Sequence, residues 1–210
     1  MIIAFYDANF GRNKVKYFLL ISLILLSSLT QAKQANSDFG YSIEIPDTWS
    51  PLTGPEIKAN PELFNFEDVN NIPNSLLKQI IPMIRSGKMD FYFLPDNTNN
   101  FADNINVMKQ VGQVATTPEK IKETCAAIPV ELTNLFKRDI SIYTCEKAQV
   151  SGKEALYLKF DGALADTTTM QYHIKTSENV FLIFTATLKN SSFNGTEEEI
   201  HQAIKTIQLN

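Results

Sequence analysis

Runs of basic residues are missing from this sequence, cysteine is almost missing, and no apolar stretch reaches the length of a bilayer. Among its 210 residues are two cysteines, two histidines and one tryptophan, with 19 basic against 23 acidic side chains. An acidic chain without a long Lys/Arg run lacks the electrostatic footprint on which nucleic-acid binding depends, so nucleic acid is excluded as the expected partner. The longest apolar stretch, residues 17–29, holds about 13 residues against the roughly 20 of a spanning helix, so a retained membrane anchor is not expected. No internal repeat and no linker-like stretch interrupts the chain, and one core is expected, since a chain of this length buries roughly two thirds of its unfolded surface.

What the N-terminus does contain is ordered. Arg12, Lys14 and Lys16 precede the apolar stretch, Ser27 and Ser28 lie near its end, and Thr30 and Ala32 follow it. This is the layout of a secretory signal. The basic residues hold the start of the segment at the cytoplasmic membrane face, the apolar run enters the bilayer, and Thr30 and Ala32 offer small side chains to signal peptidase. Cleavage is expected between Ala32 and Lys33, which leaves residues 33–210 as a single domain outside the cytoplasm with no membrane span. No cysteine lies near that site, so a lipid-modified N-terminus is not expected. Removing residues 1–32 takes the balance from 19 basic and 23 acidic to 16 and 22, a net charge of −6.

Both cysteines, Cys125 and Cys145, lie in the processed part, where an oxidising compartment lets them pair. A disulfide closing a loop of that length stabilises a fold by roughly 3 kcal/mol in the chain-entropy model. The competing reading makes one of them a nucleophile beside His173 or His201, but no family signature surrounds either cysteine.

Periodicity orders the rest. Phe39, Tyr41, Ile43 and Ile45 alternate with Gly40, Ser42 and Glu44, a half-buried strand that stops at Pro46, with Trp49 capping the core edge. Leu76, Leu77, Ile80, Ile81 and Ile84 recur at helical spacing up to Gly87, and Pro82 is expected to bend or break that helix before a strand over residues 89–94. Residues 96–104 read as a solvated loop, and Ile105 and Val107 begin a short strand. A calcium loop counted from Asp96 fails, because Phe101 and Val107 occupy the places of its Gly and its bidentate Glu.

Thr117, Pro118 and Glu119 start a second helix with Ile121, Cys125 and Ile128 inward; Pro129 is expected to interrupt it, leaving a further turn or two to Phe136. Strands over 140–147, 153–160, 168–175 and 179–188 follow, the last three as an antiparallel meander joined at Asp161-Gly162 and Ser177-Glu178. Thr196 with Glu199 reads as a capping box that opens the last helix, with Glu197 and Glu198 at its positive end and Ile200, Ala203, Ile204 and Ile207 as its buried stripe. Order and composition together give an α+β domain.

The aromatic-led strand ending in Pro-x-x-Trp, Phe39-Gly-Tyr-Ser-Ile-Glu-Ile-Pro-Asp-Thr-Trp49, resembles the opening of PsbP-like proteins. Asn104-Ile-Asn-Val107, Gly152-Lys-Glu-Ala155 and Val180-Phe-Leu-Ile-Phe-Thr-Ala-Thr187 before a C-terminal helix are similar to that family's later landmarks, and the common order spans residues 39–209. The resemblance implies an α/β/α sandwich, a central antiparallel sheet with helices on both faces. The family includes a photosystem II extrinsic subunit, a Ran-binding import factor and bacterial envelope proteins similar to DcrB, which share a fold used for binding rather than a catalytic site. The long segment 51–88 and the cysteine pair depart from the pattern, so no partner-binding residue carries over, and nothing in these residues supports a photosystem role.

The expected function is therefore that of a non-catalytic periplasmic or secreted binding protein of the cell envelope. It has a protein partner and no cofactor or metal, and it binds through residues 51–88 and 96–104. The alternative is a small secreted hydrolase in which His173 works with Asp161 or Asp166 as an acid/base pair.

Overall fold

The computed structural model describes residues 32–59, 74–95 and 102–210, and residues 32 onward gather into one compact unit. Residues 1–31 of the expected signal segment 1–32 therefore lie outside the described residues, as do residues 60–73 and 96–101 of the two expected binding segments.

The chain begins with β1 (Ala32–Ser37), β2 (Tyr41–Pro46) and β3 (Ser50–Leu52), followed by α1 (Gly54–Ala59) and α2 (Asn74–Arg85). Next come β4 (Asp90–Phe93), β5 (Asn104–Val111) and α3 (Pro118–Phe136). The meander β6 (Ile142–Val150), β7 (Lys153–Asp161), β8 (Thr167–Lys175) and β9 (Val180–Lys189) leads to α4 (Phe193–Lys205) and β10 (Gln208–Leu209). Seven strands form one antiparallel sheet in the order β3-β4-β5-β9-β8-β7-β6, and β1-β2-β10 form a second.

Alternation sorts the large sheet into two faces. In β7, Ala155 and Tyr157 join one core while Leu156, Leu158 and Phe160 join another. The first core is closed by Ile200, Ala203 and Ile204 of α4 and by Tyr41, Ile43 and Ile45 of β2, with Trp49 buried at its edge as expected. On the other face α3 lays Ile121, Ile128 and Leu132 over Leu156 and Leu158, and α2 lays Ile81, Met83 and Ile84 over Phe91 and Phe93. Tyr92, between those two phenylalanines, belongs to the first core.

Several local expectations need correction. α3 runs unbroken through Pro129 and α2 through Pro82. Each proline removes one backbone donor, but apolar residues on both sides of it pack onto the same sheet face and keep the helix from ending there. The start of α3 is as read, with the Thr117 side chain accepting from the Lys120 amide at 3.4 Å. α4, however, opens before Thr196. The Thr196 amide already bonds the Ser192 carbonyl at 3.4 Å, so Thr196 is a buried first-turn residue and no Thr196–Glu199 capping box forms.

The end of the expected 96–104 loop is not solvated. Asn104 opens β5, and buried Asp103 accepts from the Lys189 amide at 2.7 Å and from Ser192 Oγ at 2.5 Å. The strand expected over 140–147 runs on to Val150, with a bulge between Ile142 and Thr144. Ser151 and Gly152, at φ 53° and 70°, then make the two-residue turn into β7, a place where glycine's freedom is needed. β1 and β10 had no signal in the sequence.

Candidate functional site

Glu146 of β6, Tyr157 of β7 and Tyr172 of β8 are direct cross-strand neighbours, one row on the face that α4 covers. The two phenol rings sit 4.7 Å apart between centroids. His201 of α4 closes the group edge-on at 5.8 Å from Tyr157 and 6.1 Å from Tyr172, and its Nδ1 lies 2.5 Å from the Tyr172 hydroxyl. One turn back, Glu197 faces His201 Nε2 at 3.5 Å and takes Lys159 Nζ at 2.7 Å, while that ammonium also sits 4.4 Å above the Phe193 ring.

Between this row and α4 opens a cavity of about 510 Å³, walled by Glu146, Ala148 and Val150 of β6 and by Glu198, His201 and Lys205 of α4, with the tyrosines as its floor. Burial, with Glu197 and Glu146 nearby, pushes the Tyr157 phenol up to about 12 and raises that of Tyr172 further. Both are neutral hydroxyls at physiological pH, suited to hydrogen bonding and ring contact.

The residues singled out from sequence fall elsewhere. Cys125 of α3 and Cys145 of β6 are joined, with Cα atoms 5.8 Å apart, so the helix is stapled to the strand and neither sulfur is a free nucleophile. His173 points to the face opposite Tyr172, where its Nε2 lies 3.1 Å from Gln171 Oε1 and its ring 5.9 Å from that of Phe181. Desolvation depresses its imidazole to about 4. Asp161 pairs in register with Thr168, five residues along β8, which at ~3.3 Å per residue places it roughly 17 Å from His173. Asp161 is occupied with the Tyr143 hydroxyl and the Ser141 amide, and exposed Asp166 lies a further stretch up the chain before β8 begins. The acid/base pair of His173 with either aspartate is therefore not assembled.

Among the described residues that line the cavity, none comes from segments 51–88 or 96–104. Sequence reasoning missed the cavity because Tyr157 and Tyr172 read as ordinary strand residues. Their one available signal was a tyrosine on the same face of each of two successive strands. Among the described residues, no helix is long and apolar enough to cross a membrane, and no group of three or more His, Cys, Asp or Glu is placed to hold a metal ion.

No family model and no curated protein matches the chain. Solved structures do. Cyanobacterial PsbP (CyanoP) from Synechocystis is similar at a TM-score of 0.52 with 9% identity, over 88% of this chain and 96% of that one. The Ran-binding protein Mog1p of Saccharomyces cerevisiae aligns at a TM-score of 0.49 with 8% identity, over 86% and 96% of the two chains. A Pseudomonas aeruginosa protein of unknown function aligns at 0.45 with 13% identity, over 86% and 98%. The fold is PsbP-like, as the order of the sequence landmarks implies.

Proposed function

We propose that this chain is a non-catalytic binding or accessory protein of the cell envelope, working outside the cytoplasm on a protein partner that it engages at the cavity between α4 and β6–β8. The observation that carries the reading is the cavity itself, with its two protonated phenols, an imidazole tied to one of them, and carboxylates around the rim. Such a set recognises ligands by hydrogen bonds, ring faces and charge. The Cys125–Cys145 pair and the signal-like N-terminus support an oxidising compartment reached after cleavage behind Ala32. In this reading the layers form the α/β/α sandwich of PsbP-like proteins, α2 and α3 on one face and α4 on the other, with the β1-β2-β10 sheet extending the α4 layer.

The test is intact mass spectrometry of protein crosslinked in its native envelope fraction and recovered with and without reduction. A chain that starts at Lys33, lacks two hydrogens and carries a partner lost in the exposed-rim variant Glu146→Lys is expected. A full-length chain with free thiols, or a partner retained unchanged by Glu146→Lys, would overturn the proposal.

A further inference from the structure

Two carboxylates, Glu146 and Glu198, line the cavity and a third, Glu197, lies beside its His201, and the three are unequally satisfied. Glu197 is met by Lys159 and His201. Among the described residues Glu198 accepts from the neutral Gln202 amide alone. Glu146 has no hydrogen-bond or ion-pair partner among the described residues. Among the described lining residues Lys205 is the one lysine or arginine, so that wall carries more negative than positive charge.

A second feature points the same way. Tyr157 is only 8% exposed and lines the cavity, yet its hydroxyl makes no hydrogen bond to a described protein group, although it sits directly across the strand from Glu146. The oxygen is not sealed from solvent, since Arg138 Nε is the buried unpartnered side-chain atom among the described residues, so the hydroxyl is open to a ligand atom that enters the cavity. A neutral phenol beside unpaired carboxylates can accept from an N–H donor, and the paired ring faces of Tyr157 and Tyr172 attract a cation further.

The cavity also lies at the sheet's edge. β6 pairs with β7 on one side, and no described strand pairs with its other side. An extended segment added along that edge places every second side chain on the face of Glu146 and Ala148, at the cavity mouth.

We infer that the cavity receives the guanidinium or ammonium group of an Arg or Lys side chain, carried on an extended partner segment that pairs with the outer edge of β6. This deepens the binding role proposed above and rests on it. Glu146 and Glu198 supply the countercharge, Tyr157 the acceptor oxygen, and the tyrosine pair the aromatic floor.

The experiment titrates the processed, disulfide-bonded chain with two random hexapeptide pools, one with a central arginine and one with citrulline, which keeps the shape and removes the charge. N-acetylarginine amide serves as the free cation. Binding is read by NMR shifts of the Tyr157 and Tyr172 side chains and of the β6 amides. The arginine pool is expected to bind at least tenfold more tightly than the citrulline pool and than the free amide, to shift β6 amides, and to weaken several-fold in Glu146→Gln and in Tyr157→Phe, both with unchanged circular dichroism. Equal binding of the two pools, binding unaffected by Glu146→Gln, or no binding at all overturns the cation. Binding of the free amide as tight as the pool, with β6 unmoved, overturns the segment. If crosslinking still recovers a partner that depends on Glu146 while the pools fail, the binding role stands and this inference alone is lost.

Discussion

The Tyr41 hydroxyl donates to Asp90 Oδ2 at 2.9 Å and lies 2.9 Å from the Tyr92 hydroxyl, with all three side chains buried. Tyr41 belongs to β2 of the small sheet, Asp90 and Tyr92 to β4 of the large one, so this polar chain pins the two sheets together through the core. Ser37 of β1 also donates to the same Asp90 oxygen. Burial raises the Asp90 carboxyl above its ordinary range against the pull of the Ser37 and Tyr41 hydrogen bonds, and it raises both phenols.

Asp90→Ala leaves these buried hydroxyls without their acceptor and is expected to cost about 3 kcal/mol in denaturant unfolding. The pH dependence has a definite sign. With a folded-state pKa raised above the unfolded value, the folded chain holds the proton more tightly. The cost of the buried charge is present above the folded pKa and is relieved as pH falls through it toward about 4, the unfolded value. The wild type should therefore gain on Asp90→Asn over that window. A stability difference between the two that stays flat with pH would rule this out.

His173 acts in the opposite sense. Its imidazole is depressed to about 4 by desolvation, so the folded state resists protonation. Its contribution is complete above about 6.5, the unfolded value, and is lost as pH falls from there to about 4, a loss of about 3 kcal/mol over that span. Unfolding curves of His173→Gln should lack this acid-sensitive step. Hydrolase activity is expected to be the same in both proteins, since His173 is far from either candidate aspartate, and a loss of activity in His173→Gln would restore the acid/base reading.

None of the residues of α3 is fully buried, and the Cys125–Cys145 bond supplements its half-buried stripe. Reduction, or Cys125→Ser with Cys145→Ser, should lower stability by about 3 kcal/mol. Hydrogen exchange should locate the effect, with α3 amides losing protection before those of β8 and β9. Uniform loss across the sheet would mean that the bond does more than hold the helix.

The parts of the fold that were legible are those in which one face decides everything. The strand from Tyr41 to Pro46, buried Trp49 and β9 follow from alternation that local sequence displays directly, and β7 and β8 from apolar and β-branched runs buried on both faces. β1 was not legible because Ala35 is its only fully buried residue and its conformation comes from pairing with β2. The α4 start was misplaced because a good capping pattern at Thr196 lies inside a helix whose first turn is tied to Asp103, 89 residues from Ser192. Pro82 and Pro129 misled for a related reason, since packing on the sheet outweighs one lost donor. The cavity depends on the register Glu146–Tyr157–Tyr172 and on where α4 lands, and neither is a local property. The cysteine pair was readable because two cysteines allow a single pairing, whatever the packing around them.

The Asp103 tie gives the last prediction. A carboxylate only 5% exposed accepts from the Lys189 amide at the end of β9 and from Ser192 at the head of α4, and so sets where that helix begins relative to the sheet. Asp103→Ala should cost about 2 kcal/mol, as for a hydrogen-bonded charged group, and Ser192→Ala about 1 kcal/mol. Because the two share one interaction, the double variant should cost less than the sum of the single ones. The rotation of α4 is also coupled to the cavity, since His201 rides on that helix two turns on from its head. Asp103→Ala should therefore move the Tyr172 and His201 side-chain NMR signals as well as the melting curve. Additive costs, or a cavity whose signals do not move, would show that Asp103 stabilises the turn without positioning the helix.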